Sequence, residues 1–181
     1  MAILSLMARL GSSDPVDLRE NIGEVIEGFD LSKFGSAPTK FDAEDLKPLT
    51  ARWLAARPYA EVADKVTALG VPAELGERFW NVVRENIASL DEMGDWWAVF
   101  RDGAEPQIAE EDAEFIPQAL ALLGEPPYAD KTWAEWTTAV KEATGRKGKG
   151  LFMPLRHAVT GRTRGPEMAD VMPLLQVKPK I

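Results

Sequence analysis

Apolar residues recur along this chain at three- and four-residue spacings and nowhere in sustained alternation. That is the periodicity of helices that each lay one face on a core. Ile3, Leu6, Met7 and Leu10 keep the spacing until Gly11 stops it, and after Ser12-Ser13-Asp14 the proline Pro15 is placed to open a further helix. Ile22, Val25, Ile26 and Phe29 define an amphipathic helix ending near Asp30. A polar connector around Gly35, Pro38 and Thr39 leads to Asp42, a suitable N-cap, with Asp45 in the first turn. Leu46, Leu49, Trp53 and Leu54 then share a face that Arg57-Pro58 breaks. Tyr59 to Leu69 reads as one helix stopped by Gly70, and a longer one runs from about Ala73 to Leu90. Met93, Trp96, Trp97 and Phe100 add a heavy apolar cluster before the turn at Asp102-Gly103.

The second half repeats the theme. Ile108 to Leu123 reads as a helix, and Thr132 is the expected N-cap of the next, with Glu135 three residues on as in a capping box. Trp133, Trp136, Val140 and Ala143 face one way until Gly145. Leu151, Leu155 and Val159 form the stripe of a further helix, ended by Gly161. Pro166 is placed to open the last one, which runs to Gln176 with Met168, Val171, Met172 and Leu175 inward, before a short polar tail, VKPKI. The expected fold is all-α: helices at short separations, in an antiparallel bundle or superhelical stack. Boundaries are expected near residue 40 and near 103, giving segments 1–40, 41–103 and 104–181.

With 181 residues and 45% apolar content, the chain can bury a substantial core. No apolar run reaches the length of a membrane span. No basic leader precedes the first apolar run, so secretion is not expected. The absence of cysteine removes disulfides, thiol catalysis and thiolate zinc sites, and a soluble, intracellular protein is the economical expectation. The chain opens midway through an apolar helix, as a piece of something larger would.

Charge changes the picture. The net charge is −8, yet the stretch from Arg146 to Met168 carries Arg146, Lys147, Lys149, Arg156, Arg162 and Arg164 with no acid before Glu167. A basic island in an acidic chain is where an anionic partner should land. Arg156 and Thr160, one turn apart, share a face beside the apolar stripe. Catalytic chemistry is hard to find. Glu110-Glu111-Asp112 and Asp91-Glu92 fit solvated faces, and no GxGxxG, GxxxxGK[ST], HExxH or GxSxG motif is present. His157, the single histidine, lacks a marked nucleophile with an orienting acid, and its simpler role is an edge residue or an anion contact. The tryptophans at 96–97 and at 133 and 136 could stack bases, but their spacing among apolar neighbours suits a core.

The segment LFMPLRHAVTGRTRGPEMADVMPLL resembles the C-terminal anticodon-binding region of bacterial glutamyl-tRNA synthetases, with Pro154, Leu155, Arg156, Thr160, Gly161 and Pro166 at the positions of that family's signature. LMARLGSSDPVD is similar to the helix and turn after the family's KMSKS loop, in an alphaproteobacterial form, and FDLSKFGSAPTKFDAEDL resembles its connector into the anticodon-binding half. The resemblance implies that 1–40 is the end of a stem-contact region, 41–103 a first anticodon-binding helical subdomain and 104–181 a second. The catalytic domain would precede Met1. The intact parent, by the same resemblance a monomeric cytoplasmic enzyme, joins glutamate to tRNA with ATP and Mg²⁺. This chain alone would have no catalytic residue, cofactor or metal, and would bind tRNA without aminoacylating it.

Carried over residue by residue, the resemblance puts Arg156 at the anticodon, together with Gly165, Pro166 and Met168 in the turn before the last helix. It places the helix holding Arg84 against the anticodon, and some members read a base with an arginine where Asn86 stands here. That departure bears on glutamate-specific against glutamine-specific tRNA. Arg146, Lys147, Lys149, Arg162 and Arg164 match no fixed contact and are expected to neutralise phosphates. A free-standing paralogue acting as a protein-interaction module is the alternative, and an independent enzyme using His157 a third possibility.

Overall fold

The computed structural model describes residues 1–106 and 108–180. In chain order the α-helices are α1 (Ala2–Met7), α2 (Ile22–Glu27), α3 (Leu46–Ala55), α4 (Ala63–Ala68), α5 (Ala73–Val83), α6 (Glu92–Asp102), α7 (Phe115–Ala121), α8 (Thr132–Thr144), α9 (Lys149–Thr160) and α10 (Met168–Val171). Short 3₁₀ turns join several of them, and among the described residues there is no strand, only an isolated bridge between Ser12 and Phe34. The chain is all-α.

One cluster of buried side chains runs from Leu54 to Leu175 and takes residues from both sides of Gly103. Its centre is aromatic. Phe79 of α5 meets Trp97 and Phe100 of α6 edge-on, with ring centroids 5.7 and 6.0 Å apart, the geometry that brings the positive edge of one ring to the negative face of another. Trp136 of α8 is also core, and its buried indole N–H donates to Ala119 O of α7 at 2.8 Å, so the polar handle of a buried tryptophan is satisfied. Trp133, one turn earlier, is only partly buried and packs towards the exposed Phe152.

Several expected elements differ. Pro15 opens no helix: residues 15–19 are non-helical. Asp14 is pinned by Arg9 (3.3 Å) and Lys33 (3.0 Å), and Arg19 N donates to Ser5 Oγ, so this segment is tied across α1 rather than wound on itself. The helix begun at Ile22 ends at Glu27, and the face expected to point inward is open, with Ile26 67% and Phe29 48% exposed. Tyr59 to Leu69 divides into a 3₁₀ turn and α4 at Val62, and α5 stops at Val83, where the chain turns through Arg84–Asn86. Ile108 to Leu123 shortens to a 3₁₀ turn at Glu110–Asp112 and α7, with Pro117 tolerated in the first turn. Thr132 is the first helical residue and not the cap. Its hydroxyl accepts from Ala129 N behind it, and Glu135 pairs with Lys131 instead. The last helix begins at Met168 rather than at Pro166 and passes into a 3₁₀ turn at Met172. The tail is docked: Gln176 N donates to Phe100 O at 2.8 Å and Lys180 Nζ to Asp102 O at 2.9 Å, satisfying carbonyls that the end of α6 leaves open. Ile181 of that tail lies outside the described residues.

Candidate nucleic-acid interface

Helix α9 is bracketed by glycines. Gly148 precedes it at φ +56° and Gly161 follows in the left-handed region at φ +64°, its N–H donating to His157 O at 2.8 Å. Leu151, Leu155, Ala158 and Val159 bury the inner face and hold the helix against α7 and α8. Pro154 lies inside it, and a proline removes the N–H that would reach the carbonyl four residues back, here Gly150. Arg146 takes that carbonyl at 3.2 Å.

Arg146 is in fact held on several sides. It is ion-paired with Asp112, donates to Glu111 O at 3.2 Å, and lies with its guanidinium carbon 3.9 Å from the centre of the Phe115 ring. The sequence grouped it with the phosphate-contact candidates; the structure gives its donors protein acceptors and makes it the clamp between the 110–115 segment and the start of α9. Lys147 and Lys149 are exposed. Lys149, Met153 and His157 line a cavity of about 620 Å³ with Ile108, Ile116 and the Arg146–Asp112 pair. The Nε2 of His157 is shut from solvent without a hydrogen-bond partner.

The other candidates converge around one side chain. Thr160 Oγ1 donates to Arg156 O (2.8 Å) and accepts from Arg162 N (3.2 Å), which fixes the main chain as it leaves α9. The Arg162 guanidinium then lies over the Trp96 ring, 4.2 Å from its centre. Gly165, at φ +151°, passes so close to the same indole that a Cβ there would stand 2.6 Å from Trp96 Cη2 and 3.6 Å from Arg156 Nη1. Only glycine fits. Arg156 Nη1 is buried with no acceptor, a cationic donor that has lost water and gained nothing in exchange. Arg162 and Gly165 thus meet at Trp96, which α6 supplies, and Arg156 lies beside the same glycine. Arg164 is exposed on the same turn.

Asn86 and Pro166 come together elsewhere, as opposite walls of a cleft of about 720 Å³ between α5 and the turn into α10. Its rim carries Glu74, Glu77, Glu85, Glu167 and Asp170, with Arg78 already paired to Asp130. Carboxylates repel phosphate but can accept from exocyclic amino groups of bases. Met168 is 3% exposed and packs in the core, so it anchors the turn instead of presenting a side chain. Arg84 does not line the cleft and donates to Arg57 O at 3.3 Å, alongside the Trp80 indole N–H at 2.8 Å. Sequence reasoning missed Trp96 and Thr160 as organisers of this turn. Thr160 stood in the signature, but nothing local in the sequence links Trp96 to Arg162.

The special glycine and the cations Arg162 and Arg156 thus converge on the turn that leaves α9. The model of the anticodon binding domain matches residues 43–178, and the chain belongs to that family. It is 63% identical over 176 residues to glutamate–tRNA ligase 1 of Cereibacter sphaeroides and 62% identical over 181 residues to glutamate–tRNA ligase 2 of Jannaschia sp., covering 97% and 100% of this chain. It spans 40% of the length of each of those relatives. The fold is also that of part of the glutamate–tRNA synthetase crystal structure from Elizabethkingia anophelis, at a TM-score of 0.67 and 21% identity, over 96% of this chain and 37% of that one.

Proposed function

We propose that this chain binds the anticodon arm of a tRNA and is the anticodon-reading part of a glutamyl-tRNA synthetase. The observation that carries the proposal is the convergence of Arg162 and Gly165 on the Trp96 indole, with Arg156 beside the same glycine. Single-stranded loop bases are splayed out and are read by guanidinium groups and backbone atoms on a rigid frame. Arg156 is the base-reading residue. The acid-rimmed cleft between Asn86 and Pro166 takes base edges, while Lys147, Lys149, Arg162 and Arg164 meet phosphates outside it. The proposed partner is glutamate-specific tRNA, and Asn86 decides how far glutamine-specific tRNA is also accepted. Segments 41–103 and 104–181 are the two halves of the reader, and 1–40 belongs to the stem-contact region. Ligation of glutamate, with its ATP and Mg²⁺, belongs to the rest of the parent enzyme, proposed as a cytoplasmic monomer.

The test is fluorescence anisotropy with an RNA hairpin carrying the anticodon loop of a glutamate-specific tRNA. Arg156→Ala is expected to weaken binding about 10- to 100-fold, the range for losing a charged contact to a base. An unchanged affinity in a folded Arg156→Ala protein would remove Arg156 from the reader, and no binding by the unsubstituted chain at low salt would remove the function.

A further inference from the structure

Trp96 has no role in the family resemblance and is almost wholly buried at 1% exposure, so on burial alone it is one more core aromatic. Its surroundings are unlike those of the other buried tryptophans. One face of the ring carries the Arg162 guanidinium at 4.2 Å, and its Cη2–Cζ2 edge is where Gly165 passes. Phe100, one turn along α6, stacks obliquely on it at 5.7 Å and holds the ring orientation. A free arginine side chain samples many rotamers, and a partner that binds it must first order it. Arg162 has no carboxylate partner among the described residues, yet it is fixed at both ends, by Thr160 at the main chain and by the indole at the guanidinium.

We infer that Trp96 is a positioning residue for RNA binding: it acts through Arg162, holding that cation and the turn to Pro166 in the geometry an RNA backbone requires. The inference rests on the anticodon-arm proposal above. Stacking uses the face of the guanidinium and leaves its in-plane N–H groups free to donate, so an arginine held this way can still meet a phosphate.

A double-mutant cycle in hairpin binding tests it. Trp96→Leu and Arg162→Ala are each expected to weaken binding about 5- to 10-fold, the loss of one preordered phosphate contact, and the pair together no more than about twofold beyond either alone. Trp96→Phe, which keeps a π face, should restore most of the affinity. Losses that multiply, or a Phe variant as weak as the Leu variant, overturn the inference, because they mean that Trp96 supports the fold without acting through Arg162. Should Trp96→Leu not fold, the cycle is run with Trp96→Met, which also lacks a π face, and Arg162→Ala under the same criterion. In the RNA-free protein, the Arg162 Nε–H proton should resonate upfield of the other arginines through the indole ring current, and that shift should shrink in Trp96→Phe. An unshifted proton overturns the stacking itself. If the ring-current shift is present but the unsubstituted chain binds no hairpin, the anticodon proposal fails and the positioning role falls with it.

Discussion

Arg146 and Arg162 belong to the same basic run, and the structure separates them by what they touch. Arg146 joins Asp112, the carbonyls of Glu111 and Gly150, and the Phe115 ring. Its replacement should therefore act on stability. Arg146→Ala leaves a nearly buried Asp112 carboxylate without its partner, and a loss of about 2 kcal/mol in denaturant unfolding is expected, with little change in hairpin affinity once the protein is folded. Gly165→Ala makes the opposite kind of test. A methyl driven against the Trp96 indole at a backbone conformation that L-residues avoid should shift the turn and weaken RNA binding, at a cost of roughly 1–3 kcal/mol. At this scale the sequence was half legible. The Leu155-Arg156, Thr160-Gly161 and Pro166 frame located the turn, whereas the Arg146 clamp depends on a carbonyl orphaned by Pro154 and the Arg162 contact on a tryptophan from a distant helix. Neither leaves a mark in local spacing.

Among the elements, α9 was readable because glycines bracket a clean apolar stripe, and its burial follows from that stripe. The α5 pattern was read too long. Apolar residues at Ile87 and Leu90 keep helical spacing, but Ile87 is extended, and Ala88 N donates to the Glu92 side chain at 3.2 Å, which starts α6 afresh. Periodicity reports which residues face inward and is silent on whether the backbone between them stays helical. The short segment between α7 and α8 carries its own test. Tyr128 is buried and donates to Gly124 O at 2.9 Å, and burial, with Glu125 adding to it, pushes its phenol up to about 12. A phenol whose folded value is raised stays neutral in the native state, so its contribution is fully present below its ordinary value near 10 and is lost as pH rises towards 12. Spectrophotometric titration should show a tyrosine ionising near pH 12, and Tyr128→Phe should abolish it and make stability less sensitive to alkali.

For the whole molecule, the all-α class and the aromatic centre were visible in the sequence, but the exposed N-terminal face was not. Ile3, Met7, Ile22, Ile26, Phe29 and Leu31 are each about half exposed or more. An amphipathic pattern names an apolar face without saying what covers it, so the inward reading of α2 had no local contradiction. Apolar patches of this kind bind hydrophobic dyes, so Ile26→Ser with Leu31→Ser should lower dye fluorescence without lowering unfolding stability appreciably. At the other end, truncation after Leu175 removes both caps on α6, and a loss of about 1–2 kcal/mol is expected in thermal or denaturant unfolding.

The chain is acidic overall, so the proposed RNA binding must come from geometry and not from bulk attraction. The most direct measurement compares two hairpins of equal length and charge, one with the anticodon loop of a glutamate-specific tRNA and one with those loop bases scrambled, across a salt series. The account predicts that the authentic loop binds at least about tenfold tighter at every salt concentration, the discrimination expected when bases are read. It also predicts that both affinities fall with parallel slopes of about 2 to 3 on a log–log scale, as expected for three to four phosphate-neutralising cations. Equal affinities for the two hairpins would contradict it, leaving a generic basic patch and no anticodon reader.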